Sequence, residues 1–236
     1  MEWSERGLIL GLKKHGETSV ILELMTRGHG RHLGVVRGGR SKTMQPVLQP
    51  GNEVAAVWRA RLEEHLGLYA VEPAALRTDL LLSSPQGLHG IGLLGALLRL
   101  LPERDPHPGL FDRAQVLLSQ LTTPLAPALF VHFELALLAE LGFGLDLDEC
   151  AATGTRENLV YVSPKSARAV SRDAGAPWAA KLLPLPDFLL APPGAPVSRE
   201  KICEGFRLTE FFFARDVFGP RGLKPPDARA AFIASF

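Results

Sequence analysis

The chain changes character near residue 75, and this break limits the possible folds more than any other feature. Before it, short apolar segments alternate with polar residues and are separated by glycine-containing turns. After it, leucine and alanine recur at helical spacing. Strand-like segments stand at residues 7–12, 19–26, 31–37, 54–61 and 67–71. In the second, Val20, Leu22 and Leu24 share one face and Ile21, Glu23 and Met25 the other, which is the period of a strand. His15-Gly16, Gly28-His29-Gly30, Gly38-Gly39 and Pro50-Gly51 read as the turns between them. Five short strands in so few residues suit a small closed barrel better than a large sandwich.

Beyond the break, Leu88, Ile91, Leu94, Leu97, Leu98 and Leu101 form one helical stripe, and residues 111–121 and 126–141 carry two more. Pro102, Pro106, Pro108, Pro124 and Pro127 punctuate them, as expected of a compact helical domain. From 146 to 197 the chain turns irregular, with Gly154, Pro164, Gly175 and Pro177 and then Pro184, Pro186, Pro192, Pro193 and Pro196. Helical spacing returns over 198–217. There Ser198 suits an N-cap, and Lys201 stands where a capping box would put an acid. A last helix starts near Asp227. The fold class expected is α+β. A barrel spans 1–78, a helical domain 79–145 and 198–236, and an irregular insert 146–197.

Composition narrows the function classes. Hydrophobic residues make up 46%, charged residues 22%, and the formal net charge is +1, an ordinary globular balance without a strong basic excess. Cys150 and Cys203 are too few for a secreted disulfide scaffold and fit a reducing, cytoplasmic compartment. The start of the chain is acidic and no apolar leader follows, so no signal peptide is read. The apolar run 88–101 is too short to span a membrane. The run 121–145 contains Pro124, Pro127, His132, Glu134 and Glu140, so both read as buried helices.

Charge is informative where it clusters. No acid occurs between Glu23 and Glu53, a window holding Arg27, Arg31, Arg37, Arg40 and Lys42 with His29 and His32. Residues 37–42 form a glycine-containing basic loop whose amides can approach phosphates and whose cations can displace counterions. Lys13 and Lys14 precede a turn, and Arg59 and Arg61 alternate along one strand face. An OB-fold barrel binds nucleic acid through such a groove plus aromatic platforms. Trp3, Trp58 and Tyr69 are the only large aromatics here, and Trp58 falls out of phase with the arginines, toward the core. Contacts would therefore be mostly to the backbone. Lys13, Lys14, Arg27, Arg31, Arg37, Arg40, Lys42, Arg59 and Arg61 are the candidate phosphate contacts. Arg215, Arg221 and Lys224 are candidates for more DNA or for an acidic partner tail, or they are ordinary helix-end charge.

Catalytic signals are poor. His132-Phe133-Glu134 matches half of a zinc-deaminase signature, but there is no C-x-x-C. Residues 38–42 lack the order of a phosphate-binding loop, and there is no G-x-S-x-G elbow. Asp146, Asp148 and Glu149 read as a solvated turn. A non-enzyme is expected.

The stretch 14–22 followed by Leu24-Met25-Thr26-Arg27-Gly28-His29-Gly30-Arg31 resembles the N-terminal signature of the RecO family. Val36-Arg37-Gly38-Gly39-Arg40, Leu48-Gln49-Pro50-Gly51, Phe133-Glu134-Leu135, Leu141-Gly142-Phe143, Phe218-Gly219-Pro220 and residues 225–229 continue it in order. The resemblance implies an N-terminal OB-fold, a helical domain and a zinc module. It also implies a bacterial recombination mediator in DNA repair, nucleoid-associated. Such a protein binds single- and double-stranded DNA, anneals strands, and works with RecR and the C-terminal tail of single-strand-binding protein to help load RecA. Many members carry two C-x-x-C pairs. Here Cys150 keeps the first position, Thr153 occupies the second, and the second pair falls near Ser171 and Ala174, so no zinc or other cofactor is expected. The competing readings are a protein-binding adaptor of the repair machinery without direct DNA contact, and a diverged metal enzyme using His132 and Glu134.

Overall fold

The structure, a computed structural model, describes residues 1–191, 194 and 196–236, so Pro192 and Pro193 of the proline cluster lie outside the described residues. The chain divides into two compact units, residues 1–122 with 235, and residues 123–234 with 236.

The first unit begins with a closed five-stranded barrel. Its strands are β1 (Glu2–His15), β2 (Ser19–Thr26), β3 (Gly30–Val36), β4 (Glu53–Arg59) and β5 (Leu68–Ala75), in the order β1-β2-β3-β5-β4. The long strand β1 serves two neighbours. Its first half pairs with β4 from Glu2↔Arg59 to Leu8↔Glu53, and its second half pairs with β2 from Gly7↔Thr26 to His15↔Ser19. A register shift between Ile9 and Gly11 bends it from one partner toward the other. The barrel closes where β3 meets β5 in parallel at Val35↔Leu68. Gly34 lies under Tyr69, where an added Cβ would come within 2.5 Å of the ring.

The alternation read in β2 holds: Val20, Leu22 and Leu24 fill the barrel with Ile9, Val36, Val54 and Trp58. Trp58 is 1% exposed, and its indole N–H donates to Leu66 O at 3.1 Å. Strand β4 ends at Arg59, so Arg61 lies in the following loop and does not share a strand face with Arg59.

Three helices complete this unit: α1 (Thr78–Leu82), α2 (Pro85–Leu98) and α3 (Pro108–Gln120). Asn52 ties α1 to the barrel. Its side-chain oxygen accepts from the Arg77 and Thr78 amides and the Thr78 hydroxyl, while its amide donates to Pro46 O and Val47 O. Helix α2 starts with Ser84 accepting from the Gly87 amide and Pro85 in the first turn. Ile91, Leu94, Leu97 and Leu98 are buried along α2, but Leu88 is 50% exposed and falls outside the stripe it was expected to join. Helices α1–α3 fall in the same compact unit as the barrel. The cause is hydrogen bonding onto strands. Arg99 donates to Leu10 O at 2.8 Å, and the Arg104 amide donates to Arg31 O at 2.8 Å.

The second unit contains α4 (Ala126–Glu140) and a small sheet of β6 (Leu159–Val162), β7 (Ala169–Ser171) and β8 (Leu183–Pro184), ordered β7-β6-β8. Short helical segments follow: α5 (Arg172–Gly175) and the 3₁₀ turns Ala176–Lys181 and Asp187–Leu190. Then come α6 (Arg199–Phe212), a π-helical segment Phe213–Phe218, α7 (Gly219–Arg221) and α8 (Asp227–Ala234). Ser198 caps α6 by accepting from the Lys201 amide. Lys201 itself reaches back to Asp187 at 2.5 Å, which accounts for a cation at that position.

Among α4, α6 and α8 lies a buried polar knot. Glu134 is wholly buried and takes Arg229 at 2.9 and 3.1 Å. The Thr209 hydroxyl donates to the same carboxylate, and Arg229 also donates to Phe206 O at 2.6 Å. His132 packs edge-on against Phe188, with centroids 5.6 Å apart. The H-x-E pair is therefore divided between a ring contact and an ion pair.

Removing one partner of a buried ion pair leaves an uncompensated charge, at a cost of about 3–5 kcal/mol. Arg229→Leu is expected to lower the unfolding free energy by about that amount in urea titration, with Glu134→Leu/Arg229→Leu less harmful than the single change.

His32 provides a second test, inside the barrel. It is 3% exposed and sits edge-on to Trp58 and near the Tyr69 hydroxyl. Burial, then the nearby Arg104 cation, lower its pKa from 6.5 to about 4. Between these values the unfolded chain binds the proton and the folded one does not, so stability falls as pH drops from about 6.5 to about 4, by about 3 kcal/mol. Urea unfolding across this range should show a His32→Phe variant losing much of that slope.

Candidate nucleic-acid interface

The strand order sends the expected phosphate contacts to opposite ends of the barrel. Trp3 and Lys14 lie on the same strand, roughly 35 Å apart at about 3.3 Å per residue. At one end, the turn after β1 meets the loop after β3. The Arg40 amide donates to Thr18 O at 3.0 Å, and its guanidinium donates to Gly16 O and Glu17 O at 3.2 and 2.5 Å. These bonds hold the basic loop against the β1–β2 turn. Lys13, Lys14, Arg37, Arg40 and Lys42 are gathered here and all are exposed. Among the described residues none of the five forms an ion pair. Gly38 takes φ +67° with open space around it, which lets the loop turn without a side chain in the way. Beside them a cavity of about 260 Å³ is lined by Leu12, Val20 and Leu48 with Lys14 and Arg40 at its rim.

The other end is charge-balanced. Arg27 pairs with Asp112 of α3 at 3.0 Å, and Arg59 with Glu2 at 2.9 Å. Arg31 is pulled inward: its guanidinium bonds Glu23 at 2.8 Å, Glu103 at 3.4 Å and Leu101 O, and its side chain is 16% exposed. Expected as a phosphate contact, Arg31 instead fastens the loop after α2 to β3. The acid-free window is therefore not an acid-free surface, because Asp112, Glu103 and Glu5 arrive from elsewhere in the chain.

This end also collects rings that sequence reading counted singly. Trp3 lies nearly parallel to His29, with centroids 4.2 Å apart and planes 10° apart, and nearly parallel to Trp58 at 5.9 Å. His32 and Tyr69 meet Trp3 edge-on at 5.2 and 5.8 Å. Glu5 fixes the β2–β3 turn by accepting from the Gly28 amide at 2.9 Å and meeting His29 Nδ1 at 3.0 Å. A cavity of about 330 Å³ opens beside these rings and reaches Glu63 and Arg104. The signal missed was the pair His29 and His32, taken as charge when their rings matter as much.

In the second unit, Arg215 is committed. It pairs with Asp216 at 2.7 Å, donates to Pro164 O and lies 4.8 Å over the Phe212 ring. Arg221 and Lys224 are exposed at and beyond α7.

The zinc module that the resemblance implies does not match the residues present. Cys150 is 1% exposed, and its sulfur accepts from the Ser171 amide at 3.2 Å. Burial would raise the thiol pKa, but hydrogen bonds from Ser171 and Thr153 and from the Ser171 and Ala152 amides bring it down to about 6. The Gly154 amide donates to Cys150 O and Gly154 takes φ +72°, so the tight turn persists on hydrogen bonds. One thiol, two hydroxyls and the methyl of Ala174 are not a zinc donor set. No cluster of three metal-ligating acids, cysteines or histidines occurs among the described residues. Among the same residues no helix is long and apolar enough to cross a membrane.

Comparison with known proteins matches both parts of the chain to one family. Residues 1–76 match the family model for the recombination protein O N terminal, and residues 92–225 the one for its C terminal. A DNA repair protein RecO of Chelativorans sp. (strain BNC1) is 61% identical over 236 residues, covering 100% of this chain and 95% of its own length. The DNA repair protein RecO of Methylobacterium nodulans is 59% identical over 239 residues, covering 99% and 97%. That of Rhizobium etli strain CFN 42 is 58% identical over 234 residues, covering 99% and 91%. The chain belongs to the RecO family of DNA repair proteins.

Proposed function

We propose that this protein is a non-catalytic recombination mediator. It binds single- and double-stranded DNA through the basic end of its barrel and promotes annealing. The observation that carries this reading is the group Lys13, Lys14, Arg37, Arg40 and Lys42, exposed on two adjoining loops without carboxylate partners among the described residues. Cations left uncompensated on a surface displace counterions from a phosphate backbone. They also screen the repulsion between two strands and raise their encounter rate, and annealing needs no bond chemistry beyond this. The basic loop offers no aromatic residue between Arg37 and Lys42, so bases held there stay free to pair.

Partner contacts complete the reading. RecR and the acidic C-terminal tail of single-strand-binding protein are the proposed protein partners, RecA loading on coated single strands the outcome, and the bacterial nucleoid the place. Exposed Arg221 and Lys224 suit an acidic tail. Arg215 contributes less, being already paired with Asp216.

Each phosphate contact on a single strand contributes about −0.7 to the slope of log affinity against log salt. The Arg37→Ala/Arg40→Ala/Lys42→Ala variant should show weaker binding at low salt and a slope shallower by about 2, read by fluorescence anisotropy over a salt series. An Arg31→Ala change should leave the slope unaltered. Equal slopes for wild type and the triple variant would move the DNA away from this loop. Absence of binding at low salt would favour a protein adaptor.

A further inference from the structure

The aromatic end of the barrel differs in chemistry from the basic end, and its cavity is suited to another part of a nucleic acid. The rings of Trp3 and His29 lie near-parallel beside it, and Trp3 and His29 are both only partly buried. Trp58 and His32 form the floor, fixed by the Trp58 bond to Leu66 O and by edge contacts between the two rings. Arg104 stands at the far wall. It adopts φ +62° and donates to Glu63 O and to His65 O at 2.9 Å, which holds the loop after β4 around the opening. The volume of about 330 Å³ lies at the low end of ligand pockets, about 300–1,000 Å³.

The rim carries no excess of positive charge, since Arg104 faces two carboxylates there. Glu2 and Glu63 line it, and the nearby cations Arg27 and Arg59 are already paired with Asp112 and Glu2. His32 is neutral at physiological pH and adds no positive charge. The surroundings suit a flat, neutral heterocycle with both donors and acceptors on its edge. A stacking face comes from the His29 ring, which Trp3 backs on one side and whose side chain is 39% exposed, an acceptor from Glu63, and donors from a guanidinium, which carries five N–H groups. A base inside a duplex cannot reach such a pocket without leaving the stack.

We propose that the pocket bounded by Trp3, His29, His32, Trp58, Glu63 and Arg104 takes an unpaired nucleobase of single-stranded DNA. The inference rests on the DNA-binding reading above and adds a base-binding subsite at the end of the barrel remote from the basic loop. A strand that reaches both ends is held by its phosphates at one and by a base at the other. Duplex DNA uses only the basic end.

The test keeps backbone charge constant and removes the bases. Full-length protein is titrated against labelled oligothymidine and an abasic strand of equal length, each over a salt series. The abasic strand should bind about fivefold or more weakly, as expected for loss of one stacked base, with an unchanged salt slope. In His29→Ala, a change on the turn, and in Trp3→Leu, that difference should vanish while duplex affinity stays the same. Equal affinity of the two strands for wild type would overturn the base subsite and leave DNA binding intact. A difference that persists in both variants would place base recognition elsewhere and also overturn it. Failure of wild type to bind either strand would remove the DNA-binding reading itself.

Discussion

The dual pairing of β1 is the constraint on which the first unit depends. One strand runs with β4 along its first half and with β2 along its second, and the irregularity at Ile9–Gly11 lets it turn from one to the other. Once β1 is shared this way, the β1–β2 turn and the β3–β4 loop must emerge at one end, and the β2–β3 turn and the end of β4 at the other. The strand order therefore decides which cations become neighbours. Closing the barrel also removes exposed sheet edges, so its loops, not its strands, carry the reactive surface.

Electrostatics then follows burial. Arg31 and Arg99 share the Glu23 carboxylate, whose side chain is only 12% exposed, and together they fasten the region after α2 to β2 and β3. Such half-buried pairs orient elements, whereas exposed pairs like Arg27–Asp112 and Arg59–Glu2 contribute little to stability but do neutralise the surface they sit on. The cluster on the two loops joined by Arg40 has no carboxylate partner among the described residues. In that loop the guanidinium bonds to main-chain oxygens, which fix its position without cancelling its charge.

The second unit holds its turn at Cys150 by hydrogen bonds and packing. The turn at Cys150 keeps its left-handed glycine and its main-chain bonds, and the β6–β7–β8 sheet supplies the packing around it. Val162, Ala169, Val170 and Leu185 are buried there. Elsewhere in that unit, Glu134 and Arg229 satisfy one another inside an aromatic core of Phe130, Phe206 and Phe232. A buried ion pair whose carboxylate accepts from both Arg229 and Thr209 favours one arrangement of three helices, because slippage would leave a charge without its partner.

The sequence by itself determined the elements and the class of fold. The period-two alternation in 19–26 is the barrel face of β2, Ser198 is the cap of α6, and the family follows from motifs in order along the chain. These are local properties, set by side-chain direction in strands and by hydrogen bonding at helix ends. Its limits were equally physical. A window without acids predicts a basic surface only if no acid comes from outside it, and Asp112, Glu103 and Glu5 do. Arg61 was expected on a strand that stops two residues earlier, and Leu88 in a stripe from which it turns to solvent. Only the tertiary structure decided that five cations stand together at one end of the barrel and five rings at the other. Neighbours along a chain set the charge of a segment, but the potential at a surface is set by everything within a Debye length, and only the fold arranges that.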